Sequence, residues 1–106
     1  MLTEAIHNEA LQAADKATAD YIAKHGEGYP CGFAWVHAGI KGNTKLGKSF
    51  IAQGFDKSYT GGYKLWNPGK SFTQDMYAKE AGAQAYVDTV KRYIPDAPIY
   101  VSSRMD

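Results

Sequence analysis

The order of helix-like and strand-like segments predicts an α/β sandwich. It is a single small domain of about three strands packed with helices, in the order α-β-α-β-α-β. Three observations carry this expectation. A long amphipathic segment opens the chain, a run of alternating small and aromatic residues follows in "GFAWVHA", and a second long amphipathic segment precedes a short apolar end. The length of 106 residues allows one core, so residues 1–106 form one domain.

Residues 3–24 read as the first helix. Thr3 can cap it, Gly26 can stop it, and Ile6, Ala10, Ala13, Ala17 and Tyr21 fall on one side. A stripe made mostly of alanine lets the helix lie close to its neighbour. The strand from Cys31 to Ala38 sends Cys31, Phe33, Trp35 and His37 one way and Gly32, Ala34 and Val36 the other. One face is therefore large and aromatic, the other small enough for a helix. Residues 44–53 suit a short helix ending at Gly54, "DKSYTGG" a loop, and "GYKLWNPG" a strand broken by Asn67, Pro68 and Gly69. The last helix has a capping box in Ser71 and Gln74, and Asp75 suits its positive end. Its apolar stripe is Met76, Ala83, Val87, Val90 and Ile94, and Pro95 stops it. A final strand puts Ile99 and Val101 on one face and Tyr100 on the other.

The composition, 44% hydrophobic and 22% charged, is that of a soluble globular chain. No apolar run approaches the ~18 residues of a membrane span. The acidic, amphipathic start is unlike a secretory signal, and a single cysteine permits no internal disulfide. A cytoplasmic protein with no membrane partner is expected. Charge is uneven: residues 1–27 carry five acids against two lysines, and residues 41–70 carry six lysines against Asp56. The basic middle is either an anion-binding face or a solvated surface.

"GNTKLGKS" at 42–49 fits the phosphate-loop pattern G-x-x-x-x-G-K-[ST]. In such a loop, backbone amides wrap the phosphates, the lysine reaches the outer ones and the hydroxyl holds magnesium. Against that reading, no apolar strand here ends in the Asp that a magnesium site normally adds, and the helix after the loop is brief. Weak anion binding by Lys45, Lys48, Ser49 and Lys64 remains the expectation, without catalysis.

Two histidine-based readings fail on distance. His7 and His25 lie ~27 Å apart along one helix, and Cys31 and His37 ~20 Å apart along one strand. No catalytic group, metal site or cofactor is assigned. Residues 50–70 interleave Phe50, Phe55, Tyr59, Tyr63 and Trp66 with Lys57, Lys64 and Lys70, a mixture able to stack bases and meet phosphates. Alternatively Phe50, Phe55 and one of Tyr63 or Trp66 belong to the core. Lys79 and Glu80 flank the stripe of the last helix, and Arg104 is the expected ionic partner of Glu80. That pairing is either a structural salt bridge or part of a polar pocket built from Glu80, Lys79, Arg104 and Asp106 near Trp66 and Asn67.

The ordered set "GFAWV", "WNP", Gln74 with Met76, "KEAGA" and "SRMD" resembles a family of short proteins from tailed bacteriophages and some bacteria. The resemblance covers roughly residues 30–106. It implies that Trp66, Asn67, Lys79, Glu80, Ser103 and Arg104 form one structural or functional unit; it implies no catalytic role. It also implies a non-enzymatic accessory protein in the host cytoplasm that binds a host protein or small ligand. The alternative is nucleotide or single-stranded nucleic-acid binding through residues 41–70. A small sheet with open edges also favours a homodimer.

Overall fold

Alternation along Gly32–Ala38 (β1) decides the layering. Gly32, Ala34, Val36 and Ala38 are buried beneath the helices, while Phe33, Trp35 and His37 are half-buried on the other side. The computed structural model describes residues 1–26, 31–70 and 75–105. The remaining elements are α1 (Glu4–His25), α2 (Lys45–Ala52), β2 (Asp56–Lys57), β3 (Tyr63–Trp66), α3 (Met76–Tyr93) and β4 (Ile99–Met105). The four strands make an antiparallel sheet in the order β2-β3-β1-β4. From β1 onward this is the β-α-β-β-α-β order of a split βαβ motif, with α1 added ahead of it.

The α/β class holds, with four strands in place of three. The addition is β2, inside the stretch expected to be a loop. Asp56 and Lys57 pair with Lys64 and Tyr63, and the connection at 58–62 turns on Gly61 and Gly62 at φ 95° and 68°. Two residues leave no hydrophobic period to detect.

Thr3 caps α1, its side chain accepting from Ile6 N. The buried stripe is His7, Ala10, Ala14 and Thr18, whereas Ile6, Ala13, Ala17 and Tyr21 are only half-buried. The expected stripe is thus rotated, because α1 leans on α3 and not on the sheet. Helix α3 packs against α1, β1 and β4, so it buries a broad surface. To the expected Met76, Ala83, Val87 and Val90 it adds Ala78, Lys79, Gly82, Tyr86 and Thr89. Its N-cap is Asp75, whose carboxylate accepts from Tyr77 N at 2.9 Å and Ala78 N at 3.2 Å. The capping box expected at Ser71 and Gln74 lies outside the described residues.

The core joins Val36, Phe50, Phe55, Tyr86, Val87, Val90 and Ile99, with Phe50 and Phe55 edge-to-face at 5.0 Å. His7 Nδ1 and the Tyr86 hydroxyl are 2.6 Å apart and buried. Burial, with Lys70 adding to it, pushes the imidazole below its ordinary range, and burial pushes the phenol up. Both rings are neutral near pH 7, and the imidazole tautomer sets which of them donates.

Helices α1 and α3 meet without large side chains at Thr18, where the turn at 67–70 also enters. Thr18 Oγ1 donates to Ala78 O at 3.2 Å. A methyl group placed on Gly82 would collide with that hydroxyl and lie 3.0 Å from Gly69 Cα. Helix propensity alone makes Gly82→Ala stabilising by about 1 kcal/mol, whereas overpacking costs about 1–3 kcal/mol. With a backbone atom in the way, overpacking wins. Gly82→Ala is expected to lower the urea midpoint, and a raised midpoint would show that the helices separate freely.

Candidate functional site

Residues paired across an antiparallel sheet share a face, so the register assigns the uncovered side. Phe33, Trp35 and His37 of β1 stand opposite Arg104, Ser102 and Tyr100 of β4. On the other flank Trp35 stands opposite Trp66, and His37 opposite Lys64, in β3. The helices occupy the reverse side, where Tyr63, Leu65, Ile99 and Val101 join the core or pack against it.

Two aromatic groups form on the open face. Trp35 and Trp66 are stacked, with centroids 5.3 Å apart and planes at 15°, and Phe33 lies 5.6 Å from Trp66. His37 and Tyr100 lie 5.0 Å apart. Trp66 remains 48% exposed and Tyr100 55%. Two cations flank the rings: Lys64 Nζ is 5.2 Å from the Trp66 centroid, and the Arg104 guanidinium 5.8 Å from that of Phe33. A groove of about 310 Å³ crosses this surface. Trp35, Lys64, Trp66 and Arg104 line it together with the hairpin residues Ser58, Tyr59 and Thr60. Apolar planes with cations at their margins accept a flat, anionic ligand.

The unit expected from Trp66, Asn67, Lys79, Glu80, Ser103 and Arg104 is divided by the sheet. Trp66 and Arg104 stand on the open face. Ser103, one residue from Arg104, turns to the helices, and its hydroxyl donates to Glu80 Oε2 at 2.5 Å. The expected Glu80–Arg104 ion pair is therefore replaced by a Glu80–Ser103 hydrogen bond, because strand alternation sends Arg104 the other way. Asn67 follows β3 at φ 43°, and its N–H donates to Ala34 O. Asp106 lies outside the described residues.

Lys79 is buried and has a structural partner, with Nζ donating to Gly32 O at 2.9 Å and lying 5.0 Å from the Phe33 centroid. The reason lies in the sheet. Ala34 O points toward β3, so Gly32 O, two residues earlier, points the same way. β3 ends opposite Trp35, and the ammonium takes the place of the missing strand.

The segment at 42–49 is a closed helix start. Thr44 caps α2: its Oγ1 accepts from Gly47 N at 2.9 Å and donates to Lys41 O at 2.8 Å. Lys48 N donates to Thr44 O. Ser49 Oγ is buried, donating to Leu46 O and accepting from Leu2 N. The Thr44, Gly47 and Lys48 amides and the Ser49 hydroxyl are thus engaged within the protein. Lys45 and Lys48 are exposed on α2, whose residue Ile51 lies beside Gly42 and Tyr63 on the helix side of the sheet. Lys64 alone of the four anion candidates stands on the open face. The 50–70 segment divides likewise, Phe50 and Phe55 entering the core and Tyr63 packing against it, while Trp66 faces outward. The site expected from the sequence omitted Phe33, Trp35, His37 and Tyr100. The alternating aromatic face of "GFAWVHA" was the signal for the first three.

Among the described residues no group of three His, Cys, Asp or Glu converges as metal ligands, and no helix is long and apolar enough to cross a membrane. No family model matches the chain, and no curated protein or solved structure matches it.

The role of Lys79 is testable. Lys79→Met leaves the Gly32 carbonyl buried without its donor, a loss of about 1–3 kcal/mol. Chemical denaturation is expected to show that loss, and an unchanged midpoint would remove Lys79 from the account of the β1 edge.

Proposed function

We propose that this protein is a binding module for single-stranded nucleic acid, and that the open face of the sheet is its contact surface. The observation that carries the reading is the stacked Trp35–Trp66 pair, left uncovered and flanked by Lys64 and Arg104. Bases stack on exposed rings whatever their identity, and the cations meet the phosphates between them. Four-stranded antiparallel sheets backed by helices can present aromatic residues in this way to two or three bases; that comparison is one of architecture. The reading relocates the binding expected of residues 41–70 onto Trp66 and Lys64, together with β1 and β4. It is compatible with the accessory role that the phage-type resemblance implies, with nucleic acid as the ligand in place of a host protein.

Each base stacked on an aromatic ring contributes about 1–3 kcal/mol. Trp66→Ala is therefore expected to weaken binding of a short unstructured oligonucleotide by roughly 5- to 150-fold, read by quenching of tryptophan fluorescence or by anisotropy of a labelled oligonucleotide. Affinity falls with salt, with a slope of about −0.7 per phosphate contacted. Lys64→Ala reduces both affinity and slope, and Lys48→Ala changes neither. Equal losses at Lys48 and Lys64, or no binding at low salt, would reject the reading. Salt-insensitive capture of a protein on the same rings would assign the face to a polypeptide.

A further inference from the structure

The two edges of the sheet differ. At one edge lies β2, only two residues long, both charged and exposed. Short, charged edges resist pairing with other chains. At the other lies β4, seven residues without proline or lysine, whose outer side pairs with no strand among the described residues. Its backbone is oriented for pairing. Asn67 N–H donates to Ala34 O, so the polar groups of Ala34 point toward β3, and those of Phe33, Trp35 and His37 point toward β4. Their partners Arg104, Ser102 and Tyr100 point back toward β1. By alternation, the N–H and C=O groups of Val101 and Ser103 point outward.

We propose that β4 pairs antiparallel with β4 of a second copy, about a two-fold axis at Ser102. Of the symmetric registers that join outward-pointing residues, this one alone pairs the whole strand, Ile99 through Met105. Val101 of each copy exchanges hydrogen bonds with Ser103 of the other. On the open face, Arg104 stands opposite Tyr100 of the second copy, a cation beside an exposed ring, and no like charges oppose each other. Moving the axis to residue 101 or 103 sets Arg104 opposite Pro98 or Ser102 and leaves strand ends unpaired. The pairing yields one continuous eight-stranded sheet. Arg104 of one copy then stands beside the His37–Tyr100 pair of the other, joining the two open faces. The proposal rests on the edge geometry and stands whether or not the face binds nucleic acid.

Sedimentation equilibrium of the full chain, from micromolar to millimolar, is expected to show a monomer–dimer equilibrium. Ser102→Lys opposes two like charges at the axis and is expected to weaken association several-fold. In a Cys31→Ser background, Ser102→Cys places two thiols on Cα atoms about 4.5 Å apart, within the range of about 4.4–6.8 Å that a disulfide spans. Mild oxidation is expected to cross-link this variant and to spare the matching Ser103→Cys variant. A monomer at every concentration would overturn the proposal. So would a dimer that Ser102→Lys leaves intact and that cross-links equally at either position.

Discussion

Where Gly32, Ala34, Val36 and Ala38 meet the helices, no side chain on β1 is larger than valine, and α3 lies directly on the strand. A methyl group on Gly32 would lie 2.9 Å from the Met76 sulfur and 2.6 Å from the Arg104 carbonyl, so even alanine would displace Met76 and disturb the pairing of β1 with β4 there. The same alternation sends every bulky side chain of β1 to the opposite face. Phe33, Trp35 and His37 therefore cannot enter the core formed on the helix side. They cluster with Trp66 and Tyr100, reducing their exposure by stacking on one another. The candidate site is thus the complement of the core packing.

Holding Trp66 in place requires a second close approach. Trp66 ends β3, and the chain turns at once through Asn67, Pro68, Gly69 and Lys70, closed by Lys70 N–H donating to Asn67 O at 2.9 Å. Gly69 is wedged between α1 and α3 beside Thr18 and Gly82. Space, and not an unusual dihedral, demands glycine there, since the left-handed residues of this turn are Asn67 and Lys70. The helix pair grips the turn, the turn fixes the end of β3, and Trp66 is presented against Trp35. The hairpin at 58–62 lies farther from that grip, and its Tyr59 is fully exposed.

Much of the scaffold was legible because local pattern dictates it. Thr3, the small-and-large alternation of β1 and the stop before Pro95 act within a few residues of their own positions. The faces of β3 and β4 were harder to read. Whether Trp66 joins the core or the open face depends on its register against Trp35, a contact set by long-range pairing. The same dependence misassigned Glu80 to Arg104, since one step along β4 exchanges Arg104 for Ser103. Lys79 was placed at the edge of burial, yet its partner is a carbonyl exposed only because β3 stops early. The phosphate-loop pattern misleads for a related reason, as glycine, threonine and serine at that spacing also serve a capped helix start.

On the proposed reading, the surface opposite the helices, and no other, receives the ligand. Amide and indole chemical shifts recorded during titration with a short unstructured oligonucleotide test it directly. Movement is expected at Phe33, Trp35, His37, Lys64, Trp66, Tyr100 and Arg104, with α1 and the segment at 42–49 unmoved. Shifts concentrated at Gly47, Lys48 and Ser49, with the tryptophan indoles still, would contradict it.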